Sequence, residues 1–417
     1  MNETEVIIVG AGPVGLFLAA ELRLAGVQTV VLEQRADPSP HPKALGLHAR
    51  TLEQLAMRGL IDPFLAHGVP VSQWHFGFLP QRLDLSRLDS PYPFMLAFPQ
   101  HRTEAVLQEV ALARGADIRR GHRVTEVADT GDQVQVTTAA GEHFVTNWLV
   151  GTDGAGSTVR KLAGIGFPGT DADTYAYLGD VRATTPPPPG FGVQNERGAL
   201  IVAPLPGGLF RFTGTDPLAT ETPTLESLEE TVFRISGQRF GLHDPAWLSR
   251  FGNATRVASE YRRGRVLLAG DAAHMHFPAG GVGLNLGLQD AMNLGWKLAD
   301  VIQQRAGADL LDTYHAERRP WALDVAGHTL AQTALITATT PTGQALRTVL
   351  SDALATVPEL SLLWARRLAG LDVHYGDQPP AGTRVAATGD ALLDGRPARI
   401  DVPGLGEVAV RPDGYVQ

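Results

Sequence analysis

The order of apolar and polar residues near the start of the chain changes period twice. Residues 5–9 are a short unbroken run rich in β-branched side chains, the pattern of a parallel strand buried on both faces. Glycines at 10–15 interrupt it. Over 14–25 the apolar residues Leu16, Ala19, Ala20 and Leu24 recur at helical spacing, and Gly26 supplies a stop. Residues 27–32 form a second buried strand, closed by the acidic Glu33. Strand, helix and strand within about thirty residues make a βαβ unit.

Farther along, the pattern predicts an amphipathic helix over 51–65, interrupted near Gly59, and another over 103–113. Residues 74–98 are aromatic-rich, broken by Pro80, Pro91 and Pro93, and read as strands and loops of a second lobe. Residues 117–151 alternate as strands do, with a turn near Gly141. Strand-like pieces at 199–203 and 209–213 follow the proline run 186–189 and fit a separate sheet-based lobe. A third buried strand at 266–270 feeds a glycine-rich turn and a helix over 286–302. Residues 311–369 are mostly helical; beyond Tyr375 the chain turns to Gly, Pro and Ala, with a weak strand at 407–410.

Composition narrows the class. A length of 417 residues suits two or three lobes, and 44% hydrophobic with 19% charged residues is ordinary for a soluble globular protein. The net charge of −9, with no run of Lys or Arg, argues against nucleic acid or an anionic membrane surface as a partner. Zero cysteines exclude disulfides, thiolate catalysis and cysteine-ligated metal, and fit a cytoplasmic protein. The apolar N-terminus carries Glu3 and Glu5 where a signal peptide has its basic region, and no stretch is long and apolar enough to span a membrane.

Chemistry enters at the first glycine cluster. Gly10-Ala11-Gly12-Pro13-Val14-Gly15 matches G-x-G-x-x-G: Gly10 for the tight turn, Gly12 for backbone approach to a pyrophosphate, Gly15 for close helix packing. Glu33, followed by Gln34 and Arg35, is placed for a ribose 2′-OH and would repel a 2′-phosphate, so the site suits FAD or NAD. Two further clusters follow strands. One is Gly151-Thr152-Asp153-Gly154-Ala155-Gly156-Ser157-Thr158-Val159-Arg160. The other is Gly270-Asp271-Ala272-Ala273-His274, succeeded by Pro278-Ala279-Gly280-Gly281-Val282-Gly283-Leu284-Asn285.

With these three signatures in order, the chain resembles the flavoprotein aromatic hydroxylases, of the p-hydroxybenzoate hydroxylase kind. Gly59-Leu60, Arg119-Arg120-Gly121, Phe167-Pro168-Gly169, Asn253-Ala254-Thr255-Arg256 and the run from Asp312 to Arg318 resemble the branch acting on aromatic polyketides, anthracyclines and rifamycins. The resemblance implies an α/β fold: a Rossmann-like FAD-binding domain over 1–73, 98–174 and 262–375, and a sheet-based substrate domain over 74–97 and 175–261. Residues 376–417 would be a contracted thioredoxin-like segment, or part of one that continues beyond Gln417, for which Arg411-Pro412-Asp413-Gly414 is the sign.

The resemblance also implies the cofactor. Asp271 can accept bonds from ribityl hydroxyls, although an acidic residue there can equally cap a helix. Pro278, Gly281, Gly283, Leu284 and Asn285 lie on the turn facing the isoalloxazine, where backbone N–H groups and the following helix favour negative charge on reduced flavin. Asp153 and Arg160 are implied near the FAD, with Arg50 and Gln100 as further contacts. His274 either orients the turn or satisfies a carbonyl; its spacing to His276 does not suit a metal, and none is expected.

With one dinucleotide fingerprint, NADPH or NADH binds only transiently. The family's chemistry runs through a flavin 4a-hydroperoxide formed with O2, which delivers oxygen to an aromatic ring, so no side-chain catalyst is assigned. Trp74, Phe76, Phe78, Phe94, Phe210 and Phe212 are candidate pocket walls or core; at strand spacing Phe210 and Phe212 share a face and Arg211 points away. Alternatives are Baeyer–Villiger or antibiotic-inactivating oxygenation, or an FAD-binding protein that holds a reactive intermediate without hydroxylating it. A monomer or homodimer is compatible with everything above.

Overall fold

Val6, Ile7 and Ile8 have no exposed surface, because each is flanked by a neighbouring strand on both sides and covered above and below. In the computed structural model, which describes residues 2–376 and 379–417, the strand Asn2–Val9 is central to a parallel sheet. Thr29–Glu33 and then Asp117–Arg120 pair on one side of it, His143–Gly151 and then Val266–Leu268 on the other. The hairpin Val124–Asp129 and Val134–Thr138 folds back antiparallel onto His143–Gly151. Register sets Val9 beside Leu32 and Gly151, and Gly151 beside Leu268. The four strands therefore end together, and each glycine cluster leaves the sheet at the same carboxyl edge, where open α/β sheets bind their ligands.

The helix Pro13–Leu24 lies over the sheet and packs against the long helix Gly283–Ile302. The two backbones approach closely because Gly287 faces Val14; a Cβ there would stand 2.6 Å from Val14 Cγ2. The pattern over 51–65 resolves into two helices, Ala49–Ala56 and Asp62–His67, separated where Gly59 takes φ +67°. The helical stretch after 310 is three helices, Leu310–Ile336, Pro341–Thr356 and Pro358–Leu368.

A second, antiparallel sheet runs in the order Gly192–Asn195, Gly198–Leu205, Leu209–Thr215, Tyr175–Ala183, Leu242–Gly252. The helix Leu225–Ser236 covers one face, started by a capping box at Thr224 and Ser227 and stopped at Gly237. Residues 74–97 do not add to this sheet. Their short strands pair with each other or with Gly46–Leu47 and Val69–Val71, and Leu79, Leu83, Leu85 and Met95 enter the main core. The C-terminal hairpin Ala398–Val402 and Gly406–Val410 is followed by residues stitched to the main lobe: Arg411 bonds Glu317, and Asp413 accepts from Asn293.

Charge is buried at the centre. Asp290 and Arg318, both without exposed side-chain surface, pair at 2.8 Å. Burial alone would raise the Asp290 carboxyl, but His274 and Arg318 outweigh it and hold it below the usual range. Arg318→Met is expected to leave that carboxylate uncompensated and to lower stability in urea unfolding by about 3–5 kcal/mol. A loss under about 1 kcal/mol would show that the pair is not a structural pin.

Candidate active site

The first glycine loop is shaped by backbone contact. Gly10 sits at φ +108°, and a Cβ on Gly15 would stand 2.1 Å from the Gly10 carbonyl oxygen. Gly12 differs: a Cβ there meets nothing within 4 Å. The helix it caps begins without a side-chain hydrogen bond to its first N–H groups. Free donors, positive dipole end and open space coincide, which is what a pyrophosphate requires. Glu33 lies at the rim, where its carboxylate accepts from the N–H of Ala11 at 2.8 Å and of Arg35 at 2.9 Å; Gln34 and Arg35 are exposed beside it.

The second cluster buttresses the first. Thr152 Oγ1 lies 3.0 Å from both the Val9 and Gly10 carbonyl oxygens. Asp153 accepts from Ser157 Oγ and from the N–H groups of Thr158 and Val159, so it starts the helix Thr158–Leu162. Burial nonetheless pushes its carboxyl up, against those bonds. Arg160 donates to Ala155 O and to Ala272 O, each at 2.9 Å, joining the second cluster to the third, and lies 3.7 Å over the Phe167 ring.

At the third cluster the strand Val266–Leu268 enters a 3-10 turn, Gly270–Ala272, that has no side-chain cap. Asp271 is exposed and its carboxylate makes no hydrogen bond among the described residues, so the capping alternative does not hold. Behind it Asp290 accepts from Gly270 N–H at 3.2 Å and pairs with His274 Nε2 at 2.6 Å; His274 thus orients the turn through a carboxylate. The next turn runs through Pro278 and the left-handed Gly280 and Gly281 into the helix Gly283–Ile302, which again starts uncapped. Asn285 spends its side chain here: Oδ1 accepts the His48 N–H, and Nδ2 donates to Gly46 O and Gly281 O. Leu284 is half-buried beside it.

Two expected cofactor contacts spend their side chains within the chain. Arg50 is fully buried on the far side of its helix and donates to Glu53 and to the carbonyls of Val385, Asp413 and Gly414. Its guanidinium holds the C-terminal residues and is withdrawn from the cofactor set. Gln100 starts the helix Gln100–Ala113, accepts the Ala44 N–H and donates to Glu104, which fixes the loop over 41–45.

The aromatic candidates separate. Phe210 and Phe212 pack under the helix Leu225–Ser236, because the apolar face of that sheet needs a cover and the helix supplies it. The alternation is therefore inverted: Arg211, not the phenylalanines, faces the main lobe, where it donates to Lys43 O at 2.9 Å and grips Asp180 with two nitrogens. Phe76 and Phe78 share no strand face, since Gly77 and Phe78 both have positive φ. Phe76 stacks on Trp364 with centroids 4.1 Å apart, and Phe94 meets Tyr92 and packs on the main core. Phe78 remains between the lobes, clustered with Phe251, Phe277, Ala279 and Ile336. Phe251, Phe277 and His48 were not singled out from the sequence, and Arg211 was read as pointing away; the capping box at Thr224 marks the helix start, but not the sheet face it covers.

Three histidines edge the Gly280 turn. Burial lowers His48 to about 4 and His75 to about 3, and also lowers His276. Folding keeps them neutral while the unfolded chain takes up protons from pH 6.5 downward. The stability this burial allows is complete above pH 6.5 and falls as pH drops toward 4, by an amount on the order of 3 kcal/mol for His48. Urea unfolding across this range should show the loss, with a shallower acid limb in His48→Gln; identical limbs would contradict it.

Among the described residues no group of acidic and histidine side chains could hold a metal, and no helix is long and apolar enough to cross a membrane. Residues 3–329 match the family described as FAD binding domain. The chain is 44% identical over 402 residues to a 12-dehydrotetracycline 5-monooxygenase/anhydrotetracycline 6-monooxygenase of Streptomyces rimosus, covering 91% of this chain and 80% of that one. It is 42% identical to a rifampicin monooxygenase of Streptomyces venezuelae, covering 89% and 79%, and 39% identical to a dialkyldecalin synthase of Streptomyces rugosporus, covering 99% and 89%. Among solved structures, the OxyS anhydrotetracycline hydroxylase of Streptomyces rimosus superposes with a TM-score of 0.92 at 40% identity, covering 99% of this chain and 95% of that one. The strand-edge geometry and these matches agree: the chain belongs to the FAD-binding-domain family, among the flavoprotein aromatic hydroxylases.

Proposed function

We propose that the protein is an NAD(P)H-dependent FAD monooxygenase that hydroxylates a polycyclic aromatic substrate held between the flavin-facing turn and the inner face of the five-stranded sheet. The observation that carries this is the convergence, at one sheet edge, of the open approach at Gly12, two uncapped helix starts and the unbonded carboxylate of Asp271. In this reading the N–H groups after Gly12 take the pyrophosphate, Glu33 a ribose hydroxyl and Asp271 the ribityl chain. The N–H groups from Val282 to Leu284 would meet the polar edge of the ring, where the dipole of a 20-residue helix favours the reduced anion. Bound FAD, reduced by NAD(P)H, supplies the activation of O2 and the transfer of one oxygen atom.

The chain's own task is to orient the ring and exclude water. Phe78, Phe251 and Phe277 offer an apolar seat between the lobes. The buried Arg211–Asp180 pair stiffens the sheet face opposite, and His41 stacks on Trp247 at 4.7 Å at its margin. Relatives named for anhydrotetracycline and rifampicin support a fused-ring substrate, and the OxyS structure, named a hydroxylase, supports hydroxylation. The dialkyldecalin synthase, matched over 99% of this chain, favours one second reading: an FAD-bound scaffold that turns over its substrate without adding oxygen.

NADPH oxidation by the FAD-loaded protein, measured with a panel of polycyclic phenols and followed by mass spectrometry, separates the two. Hydroxylation predicts a compound that accelerates oxidation by about tenfold or more and gains one oxygen atom. FAD binding with no acceleration by any compound, or a product of unchanged composition, would favour the scaffold.

A further inference from the structure

The Gly280 carbonyl sits where the chain reverses through two left-handed residues, Gly280 at φ +78° and Gly281 at +72°. Donors from two distant parts of the chain converge on this single oxygen: His48 Nε2 at 3.0 Å and Trp74 Nε1 at 3.1 Å. A carbonyl only accepts, so His48 carries its proton on Nε2. Its Nδ1 is then a lone pair, buried and without a partner. The His48 backbone is itself tied to Asn285, and Asn285 holds the next carbonyl, Gly281 O. Every carbonyl of the two-glycine reversal is thus gripped from behind, while the N–H groups on the following residues stay free for a ligand.

Neither donor is explained by packing alone. A neutral histidine buried this deeply costs one unsatisfied nitrogen, and Trp74 is only half-buried, yet both side chains meet on one atom. Trp74 also continues toward the pocket. Its ring stacks on His75 at 5.1 Å, His75 meets Phe78 edge-on at 4.6 Å, and Phe78 belongs to the apolar cluster between the lobes.

We propose that His48 and Trp74 form a latch on Gly280 that sets the turn's N–H groups against the flavin, making both residues positioning residues for the reaction. The inference rests on the FAD reading above. Losing either donor loosens the turn, and reduced flavin suffers more than oxidised flavin because its negative charge depends on those N–H groups.

The test compares Trp74→Phe, His48→Leu and His48→Gln as full-length holoproteins, by FAD titration, flavin midpoint potential and melting temperature. Trp74→Phe and His48→Leu should each bind FAD about three- to tenfold more weakly and show a more negative potential. His48→Gln, whose amide can still donate to Gly280, should recover most of both. The double variant Trp74→Phe/His48→Leu should lose a different amount from the sum of the singles, because the two donors share an acceptor. Unchanged potentials overturn the latch, including the case where melting temperatures fall, which would make the residues merely structural. A wild-type protein that binds no FAD removes the underlying reading instead; wild-type binding with unaffected variants removes the latch alone.

Discussion

A single buried carboxylate organises the site. Asp290, two turns into the long helix, has no exposed surface, and such a group is tolerated only when its charge and lone pairs are fully used. Its two oxygens meet Gly270 N–H, His274 and Arg318, so one side chain fixes the third glycine cluster to the helix that follows the Gly280–Gly281 turn. Arg318 spends its remaining donors on Leu286 O and Tyr375, whose ring lies 4.3 Å from that of Tyr415. The C-terminal residues are therefore coupled to the third glycine cluster through an unbroken series of buried contacts. This makes them part of the site's scaffold, although none lies at the sheet edge.

The same logic of satisfied burial explains why polar side chains abound in the core. Arg50 with Glu53, Arg58 with Glu21, and Arg411 with Glu317 and Asp413 each combine an ion pair with further hydrogen bonds. Burial pushes the Glu317 carboxyl up, yet Arg411 and Lys297 pull it down to about 2. Against this rigid back, the front of the site is left polar and unbonded: Asp271, the two uncapped helix starts and the space over Gly12. These open groups, gathered at one sheet edge, leave room for a ligand.

Much of this was legible from the sequence because it is local. The βαβ unit, the three glycine clusters and the long helices follow from period, β-branched runs and turn residues, and the parallel register then places the clusters side by side. What the sequence left ambiguous is long-range. Alternation at Leu209–Thr215 shows two faces and cannot say which one meets a helix; the cover from Leu225–Ser236 turned Phe210 and Phe212 outward and Arg211 inward. Arg50 reads as a basic residue near a cofactor, but its partners at 385, 413 and 414 lie more than three hundred residues away. Positive φ at Phe78, a non-glycine, likewise cancelled the strand spacing expected from Phe76.

On the proposed reading, the sheet edge at Gly12 takes the FAD pyrophosphate. Gly12 has ordinary extended backbone, φ −77° and ψ 178°, and open space where a Cβ would stand, so Gly12→Val should cost the FAD-free protein no more than the roughly 1 kcal/mol of a poorer N-cap. Titration with FAD, followed by flavin fluorescence and absorbance, should show saturable binding to the wild-type protein and loss of affinity by about a hundredfold or more in Gly12→Val. Equal binding by both proteins would contradict the assignment.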